Sequence, residues 1–145
     1  MVLFRSPSRR QLDVGLAALR IGVATIFIRH GAQKLFGFGL AGVTGAFGHM
    51  GVPMPGVFGP LIAFLEFFGG TALLFGLLTR LVALGFVCDM LGAIFIVLFK
   101  NGFSHYELEF TLLMASIALV FTGAGAWSVD ALIDRRSVKA DAESA

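Results

Sequence analysis

Residues 16–36 read LAALRIGVATIFIRHGAQKLF, a mostly apolar run that nonetheless carries Arg20, Arg29, His30, Gln33 and Lys34. About twenty apolar residues suffice to cross roughly 30 Å of hydrocarbon as a helix. A cation at that depth costs about 3 kcal/mol on insertion scales, so it faces a protein interior or snorkels to the surface. The remaining chain must therefore supply partners, and the carboxylates at comparable depth are Glu66, Asp89 and Glu107. The expectation is a small polytopic membrane protein built around a buried polar cluster.

The rest of the sequence agrees with that constraint. Of 145 residues, 57% are hydrophobic and only 14% charged, with a mean hydropathy of +0.90, too apolar for a soluble domain of this size. Apolar blocks of helical length recur, and the short alternating segments of a transmembrane barrel are not visible. The fold class is therefore all-α, an integral membrane four-helix bundle. A formal charge of +2 gives no reason to invoke nucleic acid, because the basic residues sit at the ends of the apolar blocks. The single cysteine, Cys88, excludes an intramolecular disulfide, a multi-cysteine metal site and a self-contained CxxC thiol oxidoreductase. No signal peptide is read at the start, because the first apolar run is too long and is interrupted by Arg20.

Taken in order, residues 1–12 form a polar cytoplasmic tail, 13–136 the transmembrane domain and 137–145 a disordered tail. Helix one runs over 13–34, with Asp13 placed to complement its dipole. Residues 38–60 carry glycines at 39, 42, 45, 48 and 51, which suit either a short helix with a glycine seam or a flexible loop. Pro53, Pro55 and Pro60 break any helix there. Further helices are expected over 57–78, 81–99 and 106–122, with a tight turn at 78–80 and Gly69-Gly70 allowing a close backbone approach beside Glu66. Gly102 is expected as a left-handed helix cap, and Ser128 as the N-cap of a short final helix over 130–135. Four crossings put both termini on one side. Arg5, Arg9, Arg10, Arg80, Arg135, Arg136 and Lys139 outnumber Lys34 and Lys100, which makes that side the cytoplasm.

Depth then sorts the polar residues. Lys34, Glu107 and Glu109 fall near the outer boundary, Glu66 somewhat below, Asp89 near the middle and Arg20 in the inner half. The expected pairs are Lys34 or His30 with Glu66 and Glu107, and Arg20 with Asp89. Glu107 and Glu109 lie about 200° apart on a helix, so only one faces the bundle. One reading makes these charges structural, holding helices in register. The other makes them a pocket open to the outer face for a small ligand or quinone headgroup, with His30, Glu66 and Glu107 exchanging protons and Arg20, Gln33, Lys34, Asp89 and Tyr106 binding. His30, His49 and His105 lie in separate segments without metal-ligand spacing, so no metal site is expected.

Arg20 and Gly22 followed by Arg29-His30-Gly31-Ala32-Gln33-Lys34-Leu35 resemble the first-helix signature of the DoxX family. So do Gly51-Val52-Pro53, Glu66 with Gly69-Gly70, Leu78-Thr79-Arg80, Asn101-Gly102 leading into Tyr106-Glu107, and the stretch Gly123-Ala124-Gly125-Ala126-Trp127-Ser128-Val129-Asp130. The resemblance spans nearly the whole chain outside its tails. It implies a four-helix bacterial inner-membrane protein, in a family named for a subunit of an archaeal thiosulfate:quinone oxidoreductase. Arg20, His30, Gln33, Lys34, Glu66, Arg80 and Glu107 match its polar positions, whereas Cys88, Asp89 and Glu109 do not.

The expected function is a multi-pass membrane subunit of a redox system, binding a quinone or other small ligand near the outer face. The alternative is a non-catalytic scaffold or assembly subunit whose charges serve folding. No haem, flavin or iron–sulfur motif is visible and no covalent cofactor is expected. Electrons would come from a redox partner subunit. Membrane lipids and a homo-oligomer are the other expected partners, and nucleic acid is not one.

Overall fold

The computed structural model describes residues 6–143, with side chains through Val138. Residues 1–5 of the expected N-terminal tail and 144–145 of the expected C-terminal tail lie outside them. Every regular element among the described residues is helical. Helix α1 spans Arg9–Ala32, and its backbone widens into i→i+5 turns over Gln33–Phe38 before α2, Gly39–His49. Helix α3, Pro55–Phe64, passes through a second wide stretch, Leu65–Gly69, into α4, Gly70–Phe75. Helix α5, Thr79–Gly92, ends in a third, Ala93–Leu98, followed by short turns at Phe99–Asn101 and Phe103–His105. Helices α6, Glu107–Thr122, and α7, Val129–Glu143, complete the chain.

Three continuous helical runs are long and apolar enough to cross a bilayer: Arg9–His49, Pro55–Phe75 and Thr79–Asn101. Their surfaces are arranged for hydrocarbon. Phe36, Phe75, Leu81, Phe95 and Phe121 are each more than 60% exposed, whereas Arg20, Glu66, Thr79, Asp89 and Ser116 are buried. With lipid outside, exposing phenylalanine costs nothing, and polar groups gain by turning inward.

The core is small and close. Phe27 of α1 stacks on Phe86 of α5 with ring centroids 3.6 Å apart, among Ala24, Leu73, Ala83 and Leu119, all fully buried. The first two runs touch backbone to backbone. A Cβ on Gly70 would lie 2.9 Å from Ile28 Cγ1 and 3.0 Å from Ile28 N, and one on Gly31 would overlap the Phe67 backbone. Glycine at both positions lets the helices approach where the polar residues sit, as Gly69-Gly70 suggested.

Several boundaries depart from the sequence reading. Helix α1 begins four residues early, because Ser8 and Gln11 form a reciprocal capping box (Gln11 N to Ser8 Oγ 3.3 Å, Ser8 N to Gln11 Oε1 2.8 Å). Asp13 thus lies beyond the first turn, and it accepts a hydrogen bond from Ala126 N at 2.9 Å. The glycine-spaced segment is the helix α2. Pro60 stands inside α3, whose N1 position is Pro55. The turn between the second and third runs is Gly76–Leu78. Ser128 caps α7 as expected (Ala131 N to Ser128 Oγ 3.2 Å), but α7 continues to Glu143, through much of the expected disordered tail.

Candidate functional site

The wide stretches place the charges. Lys34 lies in the first and Glu66 in the second, and their side chains meet in an ion pair, Lys34 Nζ to Glu66 Oε2 at 2.5 Å. It is the one salt bridge among the described residues, and the Glu66 side chain is only 5% exposed. Wide turns rotate the following residues relative to a regular helix and are frequent at functional sites. Here all three border one cavity.

That cavity has a volume of about 680 Å³. Its walls are mostly apolar, including Phe27, Phe47, Phe58, Leu65 and Ile96, and its polar lining comprises His30, Lys34, Glu66, Cys88, Asp89 and Glu109. Phe47 and Met50 bring α2 and its end over the cavity. Asp89 enters from α5, 7% exposed, in the same lining as Glu66, and its Oδ2 has no partner. The arrangement suits an apolar ligand with a polar head: mostly apolar walls with an ion pair and a second carboxyl in the lining.

The structure gathers some of the expected site residues and separates others. His30, Lys34, Glu66 and Asp89 line the cavity together. Gln33 is exposed, and Tyr106 packs against Phe99 and Phe103, both outside the lining. Glu107 is exposed at the start of α6, and Glu109 takes the lining position. The signal for that choice was present, since Glu109, Leu112, Leu113 and Ser116 form an i, i+3, i+4, i+7 face whose last three members are buried.

The expected Arg20–Asp89 pair does not form. Arg20 points toward the end of α6, where Nη1 donates to Ala124 O at 2.5 Å and Nη2 to Trp127 O at 2.7 Å. Those carbonyls follow a helix C-terminus, which leaves acceptors free and favours a cation. Gly76, at φ +69°, passes directly beneath the guanidinium, 2.8 Å from Nη1 to where a Cβ would stand. Asp130 completes this second polar centre by capping α5, accepting from Leu78 N at 2.8 Å and Thr79 N at 2.9 Å. Arg20 thus ties the ends of the helices together, remote from the cavity.

Comparison with known proteins bears on what the cavity serves. The DoxX family profile matches residues 15–98, and the profile described as "TQO small subunit DoxD" matches 57–144. The chain belongs to the DoxX family. Among relatives, "Putative oxidoreductase CatD" of Bacillus subtilis is 33% identical over 86% of this chain and 90% of its own length. "Inner membrane protein YqjF" of Escherichia coli is 36% identical over 86% of this chain and 95% of its own. An uncharacterised membrane protein of Mycobacterium tuberculosis is 30% identical over 82% of this chain. No solved structure matches significantly. This DoxX protein is a multi-pass protein of the bacterial inner membrane. Lys34, Glu66 and Asp89 all fall within the segment that the DoxX profile matches, whereas Glu109 lies beyond it.

Proposed function

We propose that this DoxX protein is the membrane subunit of a quinone-linked redox system and binds a quinone, or a small ligand of like shape, in the cavity. The observation that carries this reading is the cavity itself, apolar along its walls with Lys34, Glu66, Asp89 and His30 at one side. Its volume of about 680 Å³ lies within the usual range of small-molecule sites, and its lining is rich in aromatic and aliphatic side chains. The relative named as an oxidoreductase and the profile described as a TQO small subunit support the same direction.

In this role Lys34 and His30 orient a carbonyl-bearing headgroup, and Glu66, Asp89 and Glu109 hold protons near it. The apolar walls exclude water, which strengthens each of those interactions. When bound, a quinone supplies two-electron, two-proton carrier chemistry, with electrons delivered by a partner subunit. As part of the proposal, α6 forms a fourth crossing and both termini face the cytoplasm, which puts the cavity toward the outer leaflet.

Native mass spectrometry of the protein, gently extracted from its own membrane, tests the reading. A co-purifying quinone or a redox-active subunit is the expected result. A chain carrying only phospholipid would favour the scaffold role, for which the Arg20 centre is the specific precedent in this molecule: a buried charge that ties backbone carbonyls together.

A further inference from the structure

We infer that Glu66 and Asp89 act as one carboxyl pair that retains a single exchangeable proton inside the membrane, and that Asp89 is the member facing the ligand. Its use by a ligand rests on the cavity reading above, but its existence does not.

Three carboxyl groups line the cavity, Glu66, Asp89 and Glu109, against one lysine, Lys34, and one histidine, His30. These come from every element packed around the site: His30 and Lys34 from the first run, Glu66 from the second, Asp89 and Cys88 from α5, and Glu109 from α6. Lys34 is committed to Glu66. Asp89 has no cation of its own, because Arg20 is bonded to Ala124 and Trp127 elsewhere. Asp89 is nonetheless more than nine-tenths buried, lines the same cavity as Glu66 and leaves an Oδ2 without a partner. Two ionised carboxylates lining one mostly apolar cavity, with one ammonium bonded to only one of them, repel each other with little solvent to screen them. One proton held by the pair removes that repulsion, gives the orphaned oxygen a role and leaves the Lys34–Glu66 bond neutral overall.

Exchange is then a simple transfer. An O–H bond at the pair breaks as an O–H bond to a basic ligand oxygen forms, or the reverse, and no electron moves in that step. Glu109 lines the same cavity from α6.

Infrared spectroscopy of the ligand-free protein in vesicles tests this at neutral pH. The expected result is a deuterium-sensitive C=O band of a protonated carboxylic acid. That band should shift when either aspartate or glutamate carries a ¹³C side-chain carboxyl, disappear in Asp89→Asn and Glu66→Gln, and persist in Glu109→Gln. No such band in the wild type overturns the inference, as does a band that survives unchanged in Asp89→Asn. Isotope labelling of the wild type decides the matter even if a variant fails to fold, since a band insensitive to aspartate labelling also refutes the pair. A quinone-binding failure with the band present would remove the redox reading and leave the pair standing.

Discussion

At the scale of single residues, the buried charges divide into two kinds that the sequence lists side by side. Lys34–Glu66 lines a cavity, whereas Arg20 donates to two backbone carbonyls away from it. Arg20→Leu is therefore expected to destabilise the fold by about 3 kcal/mol, since it removes two charge-assisted bonds and strands their acceptors. Ligand binding by the surviving folded fraction should be unchanged. Thermal unfolding followed by size-exclusion chromatography measures the first effect, and a binding titration checks the second. Lys34→Met and Glu66→Gln should behave differently, each sparing the fold while abolishing ligand binding. If instead both lower the melting temperature equally and the double variant recovers the loss, the charges are purely structural. The Lys34–Glu66 pairing was legible because helical spacing set both residues at similar depth near the outer boundary. The true partners of Arg20 were not, because carbonyls of an irregular turn belong to no residue type and leave no mark in a sequence. Glu109 was legible in principle from the face it shares with Leu112, Leu113 and Ser116.

At the scale of elements, close approach governs which substitutions the helices tolerate. Gly70→Val must displace Ile28 backbone as well as side chain, whereas Gly22 has no neighbour within 4 Å. Overpacking of this kind typically costs about 1–3 kcal/mol. Gly22→Ala is expected to be neutral or slightly stabilising through helix propensity. Melting temperatures of the two variants, measured in the same detergent, compare them directly, and equal effects would contradict the contact between the first and second runs. The Ser128 cap was read from its residue type, whereas the Ser8–Gln11 capping box, equally present in the sequence, was passed over for a start at 13. The three wide stretches could not: an i→i+5 turn has no characteristic side-chain pattern, and apolar residues are spaced there as in any helix. Because those stretches deliver Lys34 and Glu66, the fold class was more legible than the site.

At the scale of the whole molecule, the number of crossings determines which faces the termini occupy. Three runs alone would leave the termini on opposite faces. Helix α6 has 16 residues, about 24 Å at 1.5 Å per residue, a few ångströms short of the hydrocarbon. A mismatch of that size is met by local thinning and by interfacial anchors, and Tyr106 and the exposed Trp127 flank α6 where such anchors belong. The charges bear on the proposed fourth crossing as well. Arg9, Arg10, Arg80, Arg135 and Arg136 fall on one side only if α6 crosses, with Lys34 and Lys100 opposite. Fusions at each terminus should therefore both give a fluorescent cytoplasmic reporter and an inactive periplasmic phosphatase. Opposite behaviour at the two termini would mean that α6 does not cross. In that case α6, which supplies Glu109 and Leu112 to the cavity wall and packs along α5, would have to sit against the bundle without spanning it. The cavity would then open to lipid along its α6 side.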